Sequence, residues 1–466
     1  MLLIFDTETT GLPQRYNAPL NDFGNWPRVV QLAWQLHDET GALIEHHSEI
    51  IIPEGFEIPF AASKIHHITT DWALNNGKSL KTVLDRFSKA LNRANFYAGH
   101  NIEFDRNVLG AEFLRLGLDD LFEQKVFVDT KSEATTAFCA LPGGKGGKFK
   151  WPSLLELHTK LFGQAFSEAH NAAFDVDANA KVFFALIERG IIAKELPEFW
   201  MQPNSIAYRA PDLTGLAIPK PVGKLEAVSK LETHGGASRV YPYVALHNHS
   251  QFSVLQSVSS IQDLVQKAAD HKMPAIALTD HGHMLGVFLF WQTVEKHNEK
   301  VRKHNAKQKE NDPAAQYRAP IKPILGCEFN VCALHTDKSR QDNGYPLPLV
   351  ALNKTGYQNL CTLSSTACTE GMYYVPRIDK ILLEQHHEGL LCFTGSIQSE
   401  LSQTLLNFGK DRAETLFKWY LKVFGDRLYI EINRHGLEEE VQVNSILMEW
   451  SKRYGVTCFA ATSTYY

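Results

Sequence analysis

Long hydrophobic runs are missing from this 466-residue sequence. A helix that crosses a bilayer needs about 20 consecutive apolar residues. No stretch approaches that length, so no membrane association is expected. The opening "MLLIFDTETT" is too short and turns acidic too soon to read as a secretion signal. Cysteine is sparse and scattered, seven residues with no CxxC pair, which argues for free thiols and a cytoplasmic location. A basic excess is absent as well. With a formal net charge of −5, a dedicated module that grips nucleic acid through a positive surface is not expected. An enzyme whose bound metal ions draw in a polyanion stays open. Internal repeats and low-complexity segments are also lacking.

What is present is the composition of a soluble globular protein, 44% hydrophobic and 21% charged. The chain is too long for one ordinary core, so two or three domains are expected. Up to about Gly190 strands and helices mix. "RVVQLAWQLHDETGALIEHHSEIII" reads as two strands joined by a polar turn. "HNIEFDRNVLGAEFLRLG" reads as a helix stopped by Gly117, and "HNAAFDVDANAKVFFALIERG" as another, with Val176, Ala180, Phe183, Phe184 and Ile187 on one face. Residues 192–242 are rich in Pro and Gly and read as a linker between domains 1–191 and 243–466. Beyond it, "YVALH", "PAIALTD", "IKPILGCEF" and "LLCFTG" are short strands alternating with helices such as "SIQDLVQKAAD", the pattern of β/α units around a sheet or barrel. The charge-rich "KHNEKVRKHNAKQKENDPAAQYR" reads as a solvated helix and loop.

The chemistry begins at "LLIFDTETTGLP", where an apolar run ends in Asp6 and Glu8. Side chains two apart on a strand share a face, so these two acids point the same way. On the first helix Asp105 falls within the apolar stripe of Ile102, Leu109, Phe113 and Leu116. A charge facing a core must be paired, hydrogen-bonded or bound to metal. In "HNAAFD" His170 precedes Asp175 by five residues. Four converging carboxylates repel one another. Two divalent ions about 3.5–4 Å apart resolve the repulsion and suit an in-line phosphoryl displacement. All-oxygen ligands favour Mg²⁺ or Mn²⁺, and a histidine with a pKa near neutrality can accept the proton of the attacking water.

"FDTETTGL", "GHNIEFD" and "HNAAFD" resemble, in order and spacing, the three motifs of the DEDDh exonuclease family. The flanking "PRVVQLAW", "IHHIT" and "KWPSLLELHTKLFG" are similar too, so the resemblance covers about residues 1–190. It implies an RNase H-like fold and 3′→5′ hydrolysis that releases nucleoside monophosphates. By position it implies that Asp6, Glu8, Asp105 and Asp175 hold two Mg²⁺ or Mn²⁺ ions, that His170 is the general base, and that Thr10 and Leu12 contact the terminal nucleotide. Asp177, two residues past the last of these acids, reads as a surface acid. The lysines of "GGKGGKFKW", Lys145, Lys148 and Lys150, read either as phosphate contacts or as part of a solvated loop.

Farther on, His247 and His249 in "YVALHNHSQFS" read as sharing one face of a strand, Asp280 and His281 follow a strand end in "PAIALTDHGH", and Glu328 lies on "IKPILGCEF". Ligands gathered at strand ends of a β/α fold suit a metal site. These phrases, with "KPILGCEFNV", "LVALNKTGYQNL", "YYVPRIDK", "YIEINRHG" and "FAATSTYY", resemble the PHP domain of bacterial DNA polymerase III alpha subunits over residues 243–466. The resemblance implies a distorted β/α barrel and a nine-ligand metal centre. His247, His249, Asp280, His281 and Glu328 match ligand positions, whereas Pro346, Ser396, Thr464 and Tyr466 stand where other ligands are expected. Proline and hydroxyl side chains replace His, Cys or Asp poorly, so zinc binding here is expected to be weak or lost and the barrel to serve as scaffold.

Together the two resemblances imply an α/β protein, an RNase H-like mixed-sheet exonuclease domain followed by a distorted β/α barrel. The arrangement resembles the N-terminal part of a self-proofreading polymerase III alpha subunit. The implied partners are the 3′ end of a DNA primer-template, polymerase domains of a longer chain, and through those the sliding clamp and replisome. Other readings are an RNA-trimming exonuclease, a phosphoesterase working through the barrel's metals, and a non-catalytic assembly module.

Overall fold

The apolar run Leu2–Phe5 becomes the centre of a five-stranded sheet in the computed structural model, which describes residues 1–122, 125–197, 206–219, 243–311 and 318–465. The chain divides into two units, Met1–Gly223 and Lys224–Tyr466. In the first unit the strands are β1 (Leu2–Thr9), β2 (Val29–His37), β3 (Leu43–Ile50), β4 (Phe96–Gly99) and β5 (Val126–Asp129). They lie in the order β3-β2-β1-β4-β5. Pairing is antiparallel from β3 through β1 and parallel from β1 through β5. This mixed sheet is the RNase H-like arrangement. The helices are α1 (Phe60–His66), α2 (Thr70–Asn76), α3 (Leu80–Arg93), α4 (Ile102–Arg115), α5 (Glu133–Cys139), α6 (Leu154–Phe162) and α7 (Ala172–Glu188).

Alternation along β1 sends Leu3 and Phe5 into one core, with Val83, Phe87, Val108 and Phe113 of α3 and α4. Leu2 and Ile4 enter a second core with Leu157 of α6 and Val176, Ala180, Phe183 and Ile187 of α7. Helices therefore cover both faces, which explains the unbroken apolar run. Both long helices end near the predicted glycines, Gly117 and Gly190, which take the positive φ that glycine accommodates. Within the stretch expected as linker, Ile206, Tyr208 and Leu216 pack on the second core and Ile218 joins a further buried cluster. Residues 198–205 and 220–242 of that stretch lie outside the described residues.

The second unit carries β6 (Ala275–Leu278), β7 (Lys322–Cys332), β8 (Tyr345–Ala351), β9 (Arg377–Asp379), β10 (Leu390–Phe393), β11 (Leu428–Ile432) and β12 (Cys458–Ala460). The helices are α8 (Ile261–Asp270), α9 (Val287–Asn311), α10 (Lys354–Thr369), α11 (Lys380–His386), α12 (Glu400–Phe408), α13 (Lys410–Phe424) and α14 (Glu438–Tyr454). The sheet runs β12-β11-β10-β8-β7-β6 with β9 beside β7, and it is mixed because β8 is antiparallel to both neighbours. Ala245 pairs with Ile276 and Asn248 with Thr464, so bridges carry the curled sheet round between its ends. This is the distorted barrel. The expected strand "YVALH" is reduced to those single bridges, so His247 and His249 do not stand on a regular strand. All seven cysteines are free thiols. Among the described residues no helix is long and apolar enough to cross a membrane.

Candidate active site

Asp6 and Glu8 leave β1 on the face that α7 covers, and Asp175 lies in the first turn of α7. Oxygens of Asp6, Glu8 and Asp175 lie within 4.8 Å of one another. Asp105 stands outside that trio. It lies on α4, buried, where its Oδ1 accepts the Thr7 backbone N–H at 3.0 Å and the Thr7 hydroxyl at 2.6 Å. Its charge still reaches the others. Burial first, then Asp105, Asp175 and Glu8, push the Asp6 carboxyl well above the usual carboxylate range. Burial, Asp175 and Asp105 do the same to Glu8. Burial raises Asp105 to about 7 against the Thr7 hydrogen bonds, and raises Asp175 to about 7 against two backbone donors, those of His170 and Asn171. Such a group carries excess negative charge when ionised, which divalent cations offset.

His170 is exposed at the mouth of this group, with φ of 69°. The left-handed turn lets its N–H meet the Asp175 carboxylate just ahead of α7. Asn171 then caps that helix, its Oδ1 accepting the Ala173 N–H at 3.2 Å. Gln31, opposite Glu8 in the β1–β2 register, locks the cap from below. Its amide donates to Asn171 Oδ1 at 2.9 Å and accepts the Ala172 N–H at 3.1 Å. Asn171 Nδ2 donates to the Leu216 carbonyl at 2.9 Å. Gln31 and Asn171 are positioning residues that the sequence reading missed; Gln31 on a wholly buried strand was the available signal. Thr10 accepts the Arg28 N–H at 2.9 Å, and Leu12 is 73% exposed beside the acids in sequence. Asp177 corrects the expectation of a surface acid. It is only 6% exposed, because it faces Lys181 and the Tyr208 hydroxyl of the segment laid across α7.

The second unit gathers His247, His249 and Glu328, whose polar atoms also fall within 4.8 Å of one another. His247 Nε2 lies 2.7 Å from Glu328 Oε2 and its Nδ1 lies 2.9 Å from Glu431 Oε1. His249 and His281 approach Glu328 Oε1 at 3.4 and 2.9 Å. Burial alone would lower His247, but Glu431 and Glu328 on either side raise it to about 10. Burial would raise Glu328, yet His247, with His249 and His281, holds it well below the usual range. Asp280 does not join. Its oxygens accept the Ser250 N–H and hydroxyl and the Ser253 hydroxyl at 2.6–2.8 Å. Around the positions that lack family ligands, the Thr464 carbonyl is 3.2 Å from His249 Nδ1 and the Tyr465 ring stacks on His249 at 4.1 Å. Tyr466 lies outside the described residues. The sequence reading missed Glu431, although it stands in the quoted "YIEINRHG" with Asn433, its hydrogen-bond partner, two residues on.

The family described as Exonuclease matches residues 3–183, and the PHP domain family matches residues 245–435. The chain joins an exonuclease domain to a PHP domain. Over the PHP region it is similar to the DNA polymerase III subunit alpha of Deinococcus radiodurans, 35% identical over 240 residues, which is 50% of this chain and 17% of that protein. The Thermus aquaticus alpha subunit is 36% identical over 231 residues, 48% of this chain and 17% of the relative. That of Treponema pallidum is 38% identical over 229 residues, 48% and 18%. The chain thus spans under a fifth of the length of these curated relatives. Among solved structures, Escherichia coli exonuclease I in complex with a dT13 oligonucleotide is 22% identical, covering 41% of this chain and 42% of its own, with a TM-score of 0.34. Exonuclease I from Methylocaldum szegediense is 23% identical, covering 40% of each chain, with a TM-score of 0.33. The exonuclease family works with divalent metals, and the acid group of the first unit is the candidate place for them here.

Proposed function

We propose that this chain is the editing part of a replicative DNA polymerase III alpha subunit, a 3′→5′ exonuclease that trims mispaired primer ends, with the PHP barrel as its scaffold. The observation that carries the reading is the approach of Asp6, Glu8 and Asp175 to within 4.8 Å, with Asp105 acting on them electrostatically. In this reading those four carboxylates hold two Mg²⁺ or Mn²⁺ ions. Such ions, when bound, supply positive charge to the attacking water and to the departing 3′ oxygen. His170 takes the proton of the attacking water on an imidazole nitrogen, from the exposed rim where its backbone already holds Asp175. Thr10 and Leu12 hold the terminal nucleotide. Leu12 supplies an exposed apolar surface for it, and the Thr10–Arg28 backbone pairing fixes where β1 ends.

The PHP ligand set fits a metal poorly. Both ring nitrogens of His247 face carboxylates, which favours imidazolium over a metal-donating lone pair. In this reading the barrel binds zinc weakly or not at all and serves mainly as scaffold.

A 5′-labelled primer with a mismatched 3′ end, incubated with the chain and Mg²⁺ or Mn²⁺, tests both halves. Single-nucleotide shortening is expected from the wild type, is lost in Asp6→Ala, and persists in His249→Ala. Shortening abolished by the second change and untouched by the first would reverse the assignment. RNA shortened in preference to DNA would reassign the substrate.

A further inference from the structure

The segment 141–151 between α5 and α6 reads "LPGGKGGKFKW", and its shape is fixed by glycine. Gly143, Gly146 and Gly147 take φ of 103°, 67° and 77°. A Cβ on Gly144 would sit 2.4 Å from the Phe149 carbonyl oxygen. The Lys150 N–H donates to the Leu141 carbonyl at 2.8 Å and closes the loop at its base. The loop so folded leaves Phe149 and Trp151 51% and 48% exposed. Lys145 and Lys148 are exposed alongside, and Lys150 pairs with Glu156 at 2.7 Å. Two large aromatics left in solvent by a sterically defined loop, interleaved with lysines, form a surface suited to flat anionic ligands.

The exit of this loop is pinned to the turn that follows β4, the strand beside β1. His100 bonds Thr130 Oγ1 at 3.0 Å and the Pro152 carbonyl at 3.1 Å. Strands β1 and β4 run parallel, with Leu2 opposite Phe96 and Ile4 opposite Ala98. The paired stretch ends there, and His100 follows directly on Gly99, the last residue of β4. The next residue, Asn101, stands at the N-cap position of α4, the helix that bears Asp105.

We infer that the loop Leu141–Trp151 is a stacking platform for single-stranded nucleic acid whose 3′ end enters the acid site. Bases stack on Phe149 and Trp151 whatever their sequence, while Lys145 and Lys148 neutralise phosphates within a chain of net charge −5. The inference deepens the exonuclease reading and rests on it for the direction of the strand, but binding can be measured without cleavage.

The test uses the full chain carrying Asp6→Ala and a 5′-fluorescein-labelled oligothymidylate, followed by anisotropy. Phe149→Ala and Trp151→Ala should each raise Kd about tenfold, whereas Phe149→Tyr and Trp151→Phe stay within about twofold. Lys145→Gln combined with Lys148→Gln should lower the slope of log Kd against log salt by about 1.4. The six substitutions fall at four exposed positions, so thermal midpoints should not move. Unchanged affinity in the alanine variants overturns the platform. So does an equal loss in the aromatic-for-aromatic variants, which would mean that something other than stacking is being removed. Because the readout is binding, a failure of cleavage in the wild type would sink the exonuclease reading and leave this result standing on its own.

Discussion

The two units each gather a knot of metal-ligand residue types, and they resolve its charge in opposite ways. In the exonuclease unit burial raises Asp6, Glu8, Asp105 and Asp175, Asp105 adds to the rise in the other three, and every cause acting on Asp6 pushes in the same direction. In the PHP unit two buried glutamates meet three histidines, and His247 bridges both acids. The first knot holds only acids, whereas the second pairs its acids with imidazoles. Residue types alone do not separate a metal site from a buried ion cluster.

The comparison breaks most sharply at Asp6. Asp6→Ala should cut exonuclease activity on the order of a thousand-fold, since several kcal/mol of transition-state stabilisation depends on the ion site; a steady-state assay on a labelled primer gives the number. At Glu431 the expectation concerns folding. Glu431→Ala leaves the His247 imidazolium with one buried carboxylate instead of two and should destabilise the second unit by about 3–5 kcal/mol, read as lost hydrogen-exchange protection in β7 and β11. Asp6→Asn should instead stabilise the metal-free first unit, because it removes a repelling charge.

Acid–base behaviour sharpens the contrast. Carboxyls raised to about 7 in the fold bind more protons than the unfolded chain does. Their contribution to metal-free stability is present at low pH and is lost as pH rises toward and through 7. Mn²⁺ displaces those protons, so the rise it causes in thermal midpoint should be larger at pH 8 than at pH 6 and should vanish in Asp6→Asn. The PHP cluster follows another course. His247, raised to about 10, stabilises fully below the pH where an unfolded histidine titrates and loses that contribution only as pH rises through 10. Added Mn²⁺ should therefore leave exchange in β7 unchanged. The smallest effect belongs to Gln31→Leu, which removes the lock on Asn171 and should lower kcat about tenfold with little change in KM, because His170 and Asp175 shift while the nucleotide contacts remain.

Much of this was legible in the chain. Period-two alternation gave β1 with its acids on one face, and the helical stripe gave Asp105 its inward position. Asp177 was misread because its burial depends on Tyr208, thirty-one residues away in a stretch with no periodic pattern. His247 and His249 were expected on a strand, yet only single bridges form there, since the segment spans two sheet ends instead of joining one neighbour along its length. Glu431 and Gln31 escaped notice because their partners come from distant segments, and no local spacing encodes such a meeting.

Strand β1 is held from both sides. Thr7 points away from Asp6 and Glu8, into the opposite core, and both of its donors end on Asp105. A residue with no charge of its own thereby governs where one of the four acids sits. Thr7→Val, nearly identical in shape, deletes a single hydroxyl, and its effect would surface on the far side of the sheet.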